Sequence, residues 1–161
     1  MLVEIKLAYK YKAAIIELFN EYTRELASIE ASFGSYLSLQ GYSKELEDLE
    51  GKYGLPDCRL YIALAGGQAA GCVALKRHGD GACEMKRLYV KPEFRNLSIA
   101  RQLTSAIIQD AKGIGYTHML LDTLPSLVPA IKLYESIGFY RIGPYNDSPV
   151  ENTIFMRLDL A

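Results

Sequence analysis

The segment from Arg59 to Val90 constrains the fold more than any other part of the chain. It contains three short apolar runs, which are separated by the glycine-rich turns Gly66-Gly67 and Gly79-Asp80-Gly81. Short strands joined by turns of two to four residues form antiparallel meanders. The segment therefore predicts three consecutive antiparallel strands, at Arg59 to Ala65, Ala69 to Lys76 and Cys83 to Val90.

After Pro92 the hydrophobic period changes to an alternation of helices and strands. The first helix places Ile99, Leu103, Ala106, Ile107 and Ala111 on one face and ends at the glycines 113 and 115. A second helix carries Ala130, Ile131, Tyr134 and Ile137 on its inner face and ends at Gly138. The strands expected between and after these helices are Tyr116 to Thr123, Phe139 to Ile142 and Asn152 to Leu160.

The first third of the chain completes the expected order. A strand at Leu2 to Leu7 precedes an amphipathic helix from about Tyr9 to Ser28, and a break follows at Ser32 to Ser35. Ser43 is a candidate cap for a short acidic helix. The resulting order, β-α-α-β-β-β-α-β-α-β-β, predicts an α/β (α+β) fold with a mixed, mostly antiparallel central sheet flanked by about four helices. We expect residues 1–161 to form one domain.

Composition excludes several functional classes. The 18 basic residues balance 19 acidic ones, so no net charge attracts nucleic acid. No apolar stretch approaches the roughly 20 residues of a membrane span, and the amino terminus has no signal-peptide core. We therefore expect a cytoplasmic protein without a membrane or nucleic-acid partner. The three cysteines and two histidines lack metal-site spacing, so no metal is expected.

The connection after the third meander strand has features of an anion site. Lys91-Pro92-Glu93-Phe94 follows the strand, and Arg95-Asn96-Leu97-Ser98-Ile99-Ala100 leads into the next helix. Unpaired N–H groups at a helix start bind anions, and the helix dipole adds to the attraction. Basic side chains flank this loop, and small residues let the backbone approach a ligand. A pyrophosphate is a natural ligand, although a plain strand–loop–helix with surface charges has the same pattern.

Two motifs in order resemble signatures of the GNAT N-acetyltransferase family. The first is Leu88-x-Val90-x-Pro92-x-x-Arg95-x-x-Ser98-x-Ala100-x-x-Leu103, which is similar to the family's acetyl-CoA signature. The second is Ala130-x-x-Leu133-Tyr134-Glu135-Ser136-Ile137-Gly138-Phe139. The chain departs from the family pattern at Ser98, where a glycine is usual, and at Leu127, where an asparagine is frequent. The element order of nearly the whole chain agrees with this family.

The resemblance implies an enzyme that moves an acetyl group from acetyl-CoA to an amine in a ternary complex. Backbone groups of the third meander strand would hold the pantetheine and polarise the thioester carbonyl, and the loop would hold the pyrophosphate. The cofactor-binding residues implied are Leu88, Tyr89, Val90, Arg95, Asn96, Leu97, Ser98, Ile99, Ala100, Arg101 and Tyr134.

Two side chains are candidates for catalysis. The resemblance places Tyr134 near the CoA sulfur, where a phenol can protonate the departing thiolate; the alternative is a core tyrosine. Glu84 is the candidate general base, because charges fall on both faces of what should be a covered strand. The alternative for Glu84 is an ion pair with Lys86 or Arg87.

The acceptor side is expected between residues 33–42 and 143–147. Its candidate substrate residues are Tyr36, Gln40, Tyr145 and Asn146, and the acceptor would be a small-molecule or peptide amine. A homodimer through the alternating last strand is compatible with the pattern. The alternative function is a non-catalytic acyl-CoA sensor, for which Ser98 and Leu127 are mild indications. A dinucleotide-binding fold is excluded because no Gly-x-Gly-x-x-Gly follows the first strand.

Overall fold

A seven-stranded sheet runs through the structure, which is a computed structural model that describes residues 1–160. Its spatial order is β1-β2-β3-β4-β5-β7-β6. Neighbouring strands are antiparallel except β4 and β5, which are parallel. This confirms the predicted mixed, mostly antiparallel sheet. The strands are β1 (Val3–Leu7), β2 (Arg59–Ala65), β3 (Gln68–Gly79), β4 (Ala82–Val90), β5 (His118–Thr123), β6 (Tyr140–Ile142) and β7 (Ile154–Asp159).

The helices outnumber the expected four. They are α1 (Lys12–Ile29), α2 (Phe33–Leu39), α3 (Tyr42–Glu47), α4 (Leu49–Tyr53), α5 (Ile99–Ile114) and α6 (Val128–Ile137), with a single 3-10 turn at Pro92–Phe94. The two long helices confirm their predicted apolar faces: α1 buries Ile15, Leu18, Phe19 and Leu26, and α5 buries Ile99, Leu103, Ile107 and Ala111. Among residues 1–160, no helix combines the length and apolarity needed to cross a bilayer.

The short helices α2 to α4 correct the interpretation of residues 32–54. The break expected at Ser32 to Ser35 is wrong, because α2 begins at Phe33, whose buried side chain anchors the helix to the core. Ser43 is not a cap: it lies inside α3, which follows Gly41 at a φ of 68°. The side chain that caps the next helix is Asp48, which accepts the Gly51 N–H at 3.0 Å. Burial of a few apolar residues here outweighs weak helix propensity.

Two apolar clusters cover the two faces of the sheet. One packs α5 and α6 against the strands, with Leu103, Ile107 and Met119 fully buried. The other packs α1 and α4 against the opposite face, where Phe19 and Tyr53 meet edge to face at 6.3 Å between ring centroids. Both faces of the central strands are therefore covered. Any charge on these strands must have a partner or a use.

Candidate active site

A β-bulge in β4 decides where the strand's charged residues point. Ala74 of β3 pairs with Lys86 and Cys72 pairs with Tyr89, so two residues of β4 oppose one of β3. Arg87 is the bulged residue and has a φ of 61°. A bulge adds one residue and so reverses the side-chain alternation. Glu84 and Lys86 share one side of the strand by ordinary alternation, and the bulge places Arg87 on that side as well. The apolar residues of β4 pack on the other side with the α5 and α6 cluster; they are Cys83, Met85, Leu88 and Val90.

Beyond the first three residue pairs, β4 and β5 separate. Their pairing runs from Ala82 with His118 to Glu84 with Leu120. From Met85 to Val90, β4 has no strand partner on the β5 side within residues 1–160. The gap opens into a cleft whose cavity has a volume of about 50 Å³. Its lining includes Tyr36, Gln40, Lys86, Leu88, Asp122, Leu127 and Tyr134.

Gly71 of β3 permits the close packing beside this gap. A Cβ at this position would lie 2.6 Å from the carbonyl oxygen of Tyr89, which no side chain tolerates. Gly71 pairs with Val90, the last residue of β4. The end of β4 is therefore held tightly by β3 on one side while its other side stays open.

The loop that follows β4 presents backbone N–H groups to solvent. Asn96 and Ser98 both adopt left-handed backbone, with φ of 68° and 60°. Among the described residues, the N–H groups of Asn96, Leu97 and Ser98 have no backbone acceptor. The first N–H groups of α5, at Ile99, Ala100 and Arg101, have no partner within the helix either. Such a run of amides at a helix start is a concave site for a phosphate.

Hydrogen bonds from arginine side chains hold this loop at both ends. Arg95 donates through Nε to the carbonyl of Val90 at 3.0 Å and lies 5.9 Å from the ring centroid of Tyr89. Arg101 donates to the hydroxyl of Ser136 at 2.8 Å, which joins the start of α5 to α6. Ser98 forms no capping bond, so its hydroxyl stays exposed beside the amides. The isobutyl group of Leu97 is exposed, and Ile99 is buried in the core.

Tyr134 lies at the cleft wall opposite β4. Its ring is 93% buried, packs 5.7 Å from Phe139 and borders the cleft together with Leu88 and Asp122. Burial raises the pKa of its hydroxyl, with a smaller contribution from Tyr22 and Asp122. The group therefore carries its proton at neutral pH. Tyr134 is a core residue on α6 that also borders the cleft, so burial in the core and the predicted acid role do not exclude each other.

Glu84 is buried and hydrogen-bonded beside the cleft. Its Oε2 accepts the hydroxyl of Tyr145 at 2.5 Å, and its Oε1 lies 3.9 Å from Nζ of Lys86. The Tyr145 ring packs edge to face on His78 and on Phe155. The structure thus places Tyr145, a predicted substrate residue, directly on the predicted base. Burial raises the pKa of Tyr145, as does the nearby Glu84 carboxylate.

Of the other three predicted substrate residues, Tyr36 and Gln40 line the cleft, and Asn146 is bonded to Asp122 on the cleft wall. The Tyr36 hydroxyl and the Asn146 amide both donate to Oδ2 of Asp122, the latter at 2.8 Å. Asn146 also donates to the Tyr36 hydroxyl at 3.1 Å. Gln40 accepts from Arg87 at 2.7 Å. Segments that lie far apart in sequence are therefore joined around one opening.

Sequence reasoning missed three charged groups of this region. Asp122 was assigned to a strand only as one of its residues. A charged residue within that apolar strand was the pattern that could have indicated a functional group. Glu45 was assigned only to a short acidic helix, yet it is buried and holds Arg87 through two bonds of 2.9 Å. Burial raises the pKa of Glu45, but bonds from Arg87 and Lys52 outweigh this and leave it below its usual value. Lys86 was considered only as a partner of Glu84.

No metal centre accompanies these groups. Within residues 1–160, no cluster of three His, Cys, Asp or Glu side chains is arranged to bind a metal ion.

The fold and the paired motifs define an acyltransferase, and comparison identifies which family. The model of the acetyltransferase (GNAT) family matches residues 14–139. An uncharacterized N-acetyltransferase of Schizosaccharomyces pombe is 42% identical over 89% of this chain and 85% of its own length. An uncharacterized N-acetyltransferase of Dictyostelium discoideum is 32% identical over 99% of this chain and all of its own. The chain belongs to the GNAT family and is an N-acetyltransferase.

A solved structure supports the fold independently of sequence. The PaiA N-acetyltransferase of Thermoplasma acidophilum, solved with coenzyme A, superposes with a TM-score of 0.73 at 21% identity. The match covers 99% of each chain.

Proposed function

We propose that this chain transfers the acetyl group of acetyl-CoA directly to a primary amine of a small molecule or peptide. The observation that carries the proposal is a cleft bordered by the unpaired edge of β4 and the proton-bearing Tyr134, with the amide-rich residues 95–101 in the loop that follows β4. Each part suits one portion of the cosubstrate. No covalent enzyme intermediate is required, because positioning two substrates supplies most of the acceleration.

The chain's groups fit coenzyme A in shape and polarity. The amides of Asn96 to Arg101 match a pyrophosphate, and the exposed Ser98 hydroxyl is a further donor. The open edge of β4 from Met85 to Val90 suits a pantetheine arm, whose amides would pair with backbone as a strand does. A backbone N–H near Leu88 or Val90 would polarise the thioester carbonyl.

In this proposal Tyr134 is the general acid and Glu84 is the general base. The amine nitrogen attacks the carbonyl carbon as the carbon–sulfur bond breaks, and the sulfur receives a proton from the Tyr134 hydroxyl. The amine loses a proton toward Glu84, through Tyr145 or a water, since the Tyr145 hydroxyl covers Oε2. Asp122 borders the cleft and is the competing base.

The test is thiol release from acetyl-CoA against a panel of amines. We expect Tyr134→Phe to lower kcat about ten- to a thousandfold without weakening CoA binding. The matched control is Tyr116→Phe, whose hydroxyl bonds the Asp57 carbonyl away from the cleft and whose loss leaves kcat unchanged. Equal activity of Tyr134→Phe and wild type would show that Tyr134 is not the general acid.

A second pair of variants separates the two carboxylates. Glu84→Gln lowers kcat about a hundredfold or more if Glu84 is the base, and Asp122→Asn then mainly raises the acceptor KM. The reverse pattern assigns the base to Asp122. CoA binding without turnover of any amine would favour the sensor function, and absence of CoA binding would refute the proposal.

A further inference from the structure

Lys86 is a buried cation without a hydrogen-bond partner. Its side chain is 9% exposed and lines the cleft. The nearest carboxylate oxygen, Oε1 of Glu84, lies 3.9 Å from Nζ, which is beyond hydrogen-bond length. Within residues 1–160, Nζ forms no hydrogen bond, and this ion pair with Glu84 is its one carboxylate contact within 4.0 Å. A mostly buried charge with one long ion pair and no hydrogen bond is poorly compensated, so the ammonium group is available to bind a ligand in the cleft.

The other charged groups around Lys86 already have partners. Arg87 and Lys52 are both bonded to Glu45. Glu84 accepts from Tyr145, and Asp122 accepts from Tyr36 and Asn146. Burial lowers the pKa of Lys86 to about 8. The positive charges of Arg87 and Lys52 lower it further, whereas the negative charges of Glu84 and Asp122 raise it. Lys86 thus remains mostly charged at neutral pH, with its hydrogen-bonding capacity unused.

The cleft therefore offers charges of both signs to an acceptor. Asp122 on the cleft wall and Glu84, which Tyr145 covers, suit one ammonium group, whereas Lys86 repels a second ammonium group. The cavity of about 50 Å³ is far below the roughly 300–1,000 Å³ of sites for drug-sized ligands, which favours a compact acceptor. A polyamine or an aminoglycoside matches neither the charge nor the size.

We propose that Lys86 binds a carboxylate of the acceptor, so that the amine substrate is an amino acid or a similarly compact amino carboxylate. The proposal rests on the acetyltransferase activity proposed above. In it, Lys86 donates to the acceptor carboxylate, and Glu84 and Asp122 face the amine end. Lys86 acts in binding and specificity rather than in proton transfer.

The experiment compares matched acceptors. Each amino acid is assayed beside the amine that remains when its α-carboxylate is removed, with acetyl-CoA saturating. We expect wild type to favour the amino acid in kcat/KM by about tenfold or more. Lys86→Met lowers kcat/KM for the amino acids about ten- to a hundredfold, mainly through KM, and leaves the decarboxylated amines unchanged. Lys86→Arg, which keeps the charge, recovers part of the loss.

Controls keep the outcomes separate. Lys112→Met removes an exposed lysine of α5 and changes neither acceptor class. Calorimetric CoA binding checks that Lys86→Met is folded. If wild type uses decarboxylated amines as well as amino acids, the proposal fails and the acetyltransferase function stands. An equal loss for both acceptor classes, or a higher KM for acetyl-CoA, also overturns it. Absence of turnover with every amine refutes the underlying function as well.

Discussion

The two sides of the cleft are built in opposite ways. The side proposed for the cofactor is one continuous segment, residues 91–101, which is largely exposed and offers backbone amides in left-handed geometry. The side proposed for the acceptor consists of side chains from α2, β4, β5 and the loop before β7, backed by Glu45 of α3, and most of its charges are buried. One side depends on backbone conformation, and the other depends on packing between distant segments.

Because of this difference, we expect stability and substrate specificity to depend on different sides of the cleft. A pyrophosphate is constant, so backbone groups can bind it whatever the neighbouring side chains are. An acceptor must be distinguished from other amines, which takes side chains of defined charge. Burying those charges destabilises the fold unless each has a partner. We therefore expect variants on the acceptor side to change stability more than variants on the cofactor side.

The largest effect is expected at the buried ion pair. Glu45→Ala leaves Arg87 and Lys52 without their carboxylate and lowers the free energy of unfolding by about 3 to 5 kcal/mol. Urea unfolding measures the change. Glu47→Ala, on the exposed face of the same helix, is the control and stays within about 0.5 kcal/mol of wild type. Similar values for the two variants would contradict the comparison.

A smaller effect of opposite sign is expected at Lys86. Burial places its pKa near 8, below the 10.5 of an exposed lysine, so folding disfavours the charged form. At pH 7 the folded state bears this penalty in full, and the penalty disappears as pH rises from about 8 to 10.5. Lys86→Met should therefore stabilise the protein at pH 7 by about 1 to 3 kcal/mol.

The measurement at Lys86 is urea unfolding at pH 7 and pH 10. The advantage of Lys86→Met over wild type should shrink at the higher pH, and Lys112→Met should show little change at either. Wild-type stability equal to or above that of Lys86→Met at pH 7 would indicate that Lys86 has a partner already.

The smallest effect is expected on the cofactor side. Ser98 holds a φ of 60°, which costs an ordinary residue about 1 kcal/mol and glycine little. Ser98→Gly should raise stability by about 0.5 kcal/mol, after allowing for the freer unfolded chain, and lower the Kd for CoA about two- to fivefold. Ser105→Gly, an exposed position within α5, should destabilise by about 0.5 kcal/mol. A higher Kd for CoA in Ser98→Gly would indicate that the Ser98 hydroxyl contributes more to CoA affinity than relief of the backbone strain restores.

Prediction from sequence succeeded where interactions are local. The meander β2 to β4 was foreseen because its glycine turns fix the connections, and α5 because its apolar residues recur at helical spacing up to Gly115, which has a φ of 108°. The loop at Arg95 to Ala100 was foreseen for the same reason. The helices α2 to α4 were misplaced, because their short segments have weak local preferences and are held by burial of Phe33, Tyr36, Leu49 and Tyr53.

The sequence by itself determined the family, the order of most elements and the loop that carries the free backbone amides. It also drew attention to the charges of β4, although it placed them on both faces of the strand. Only the tertiary structure decided that the bulge brings Arg87 to the same side as Glu84 and Lys86. It also decided that Glu45 binds Arg87 and Lys52, which leaves Lys86 with only a long ion pair to Glu84. The physical reason is that turns and helix periods are set by adjacent residues. The partners of a buried charge are set by contacts between residues as distant as Glu45 and Arg87, which no local pattern specifies.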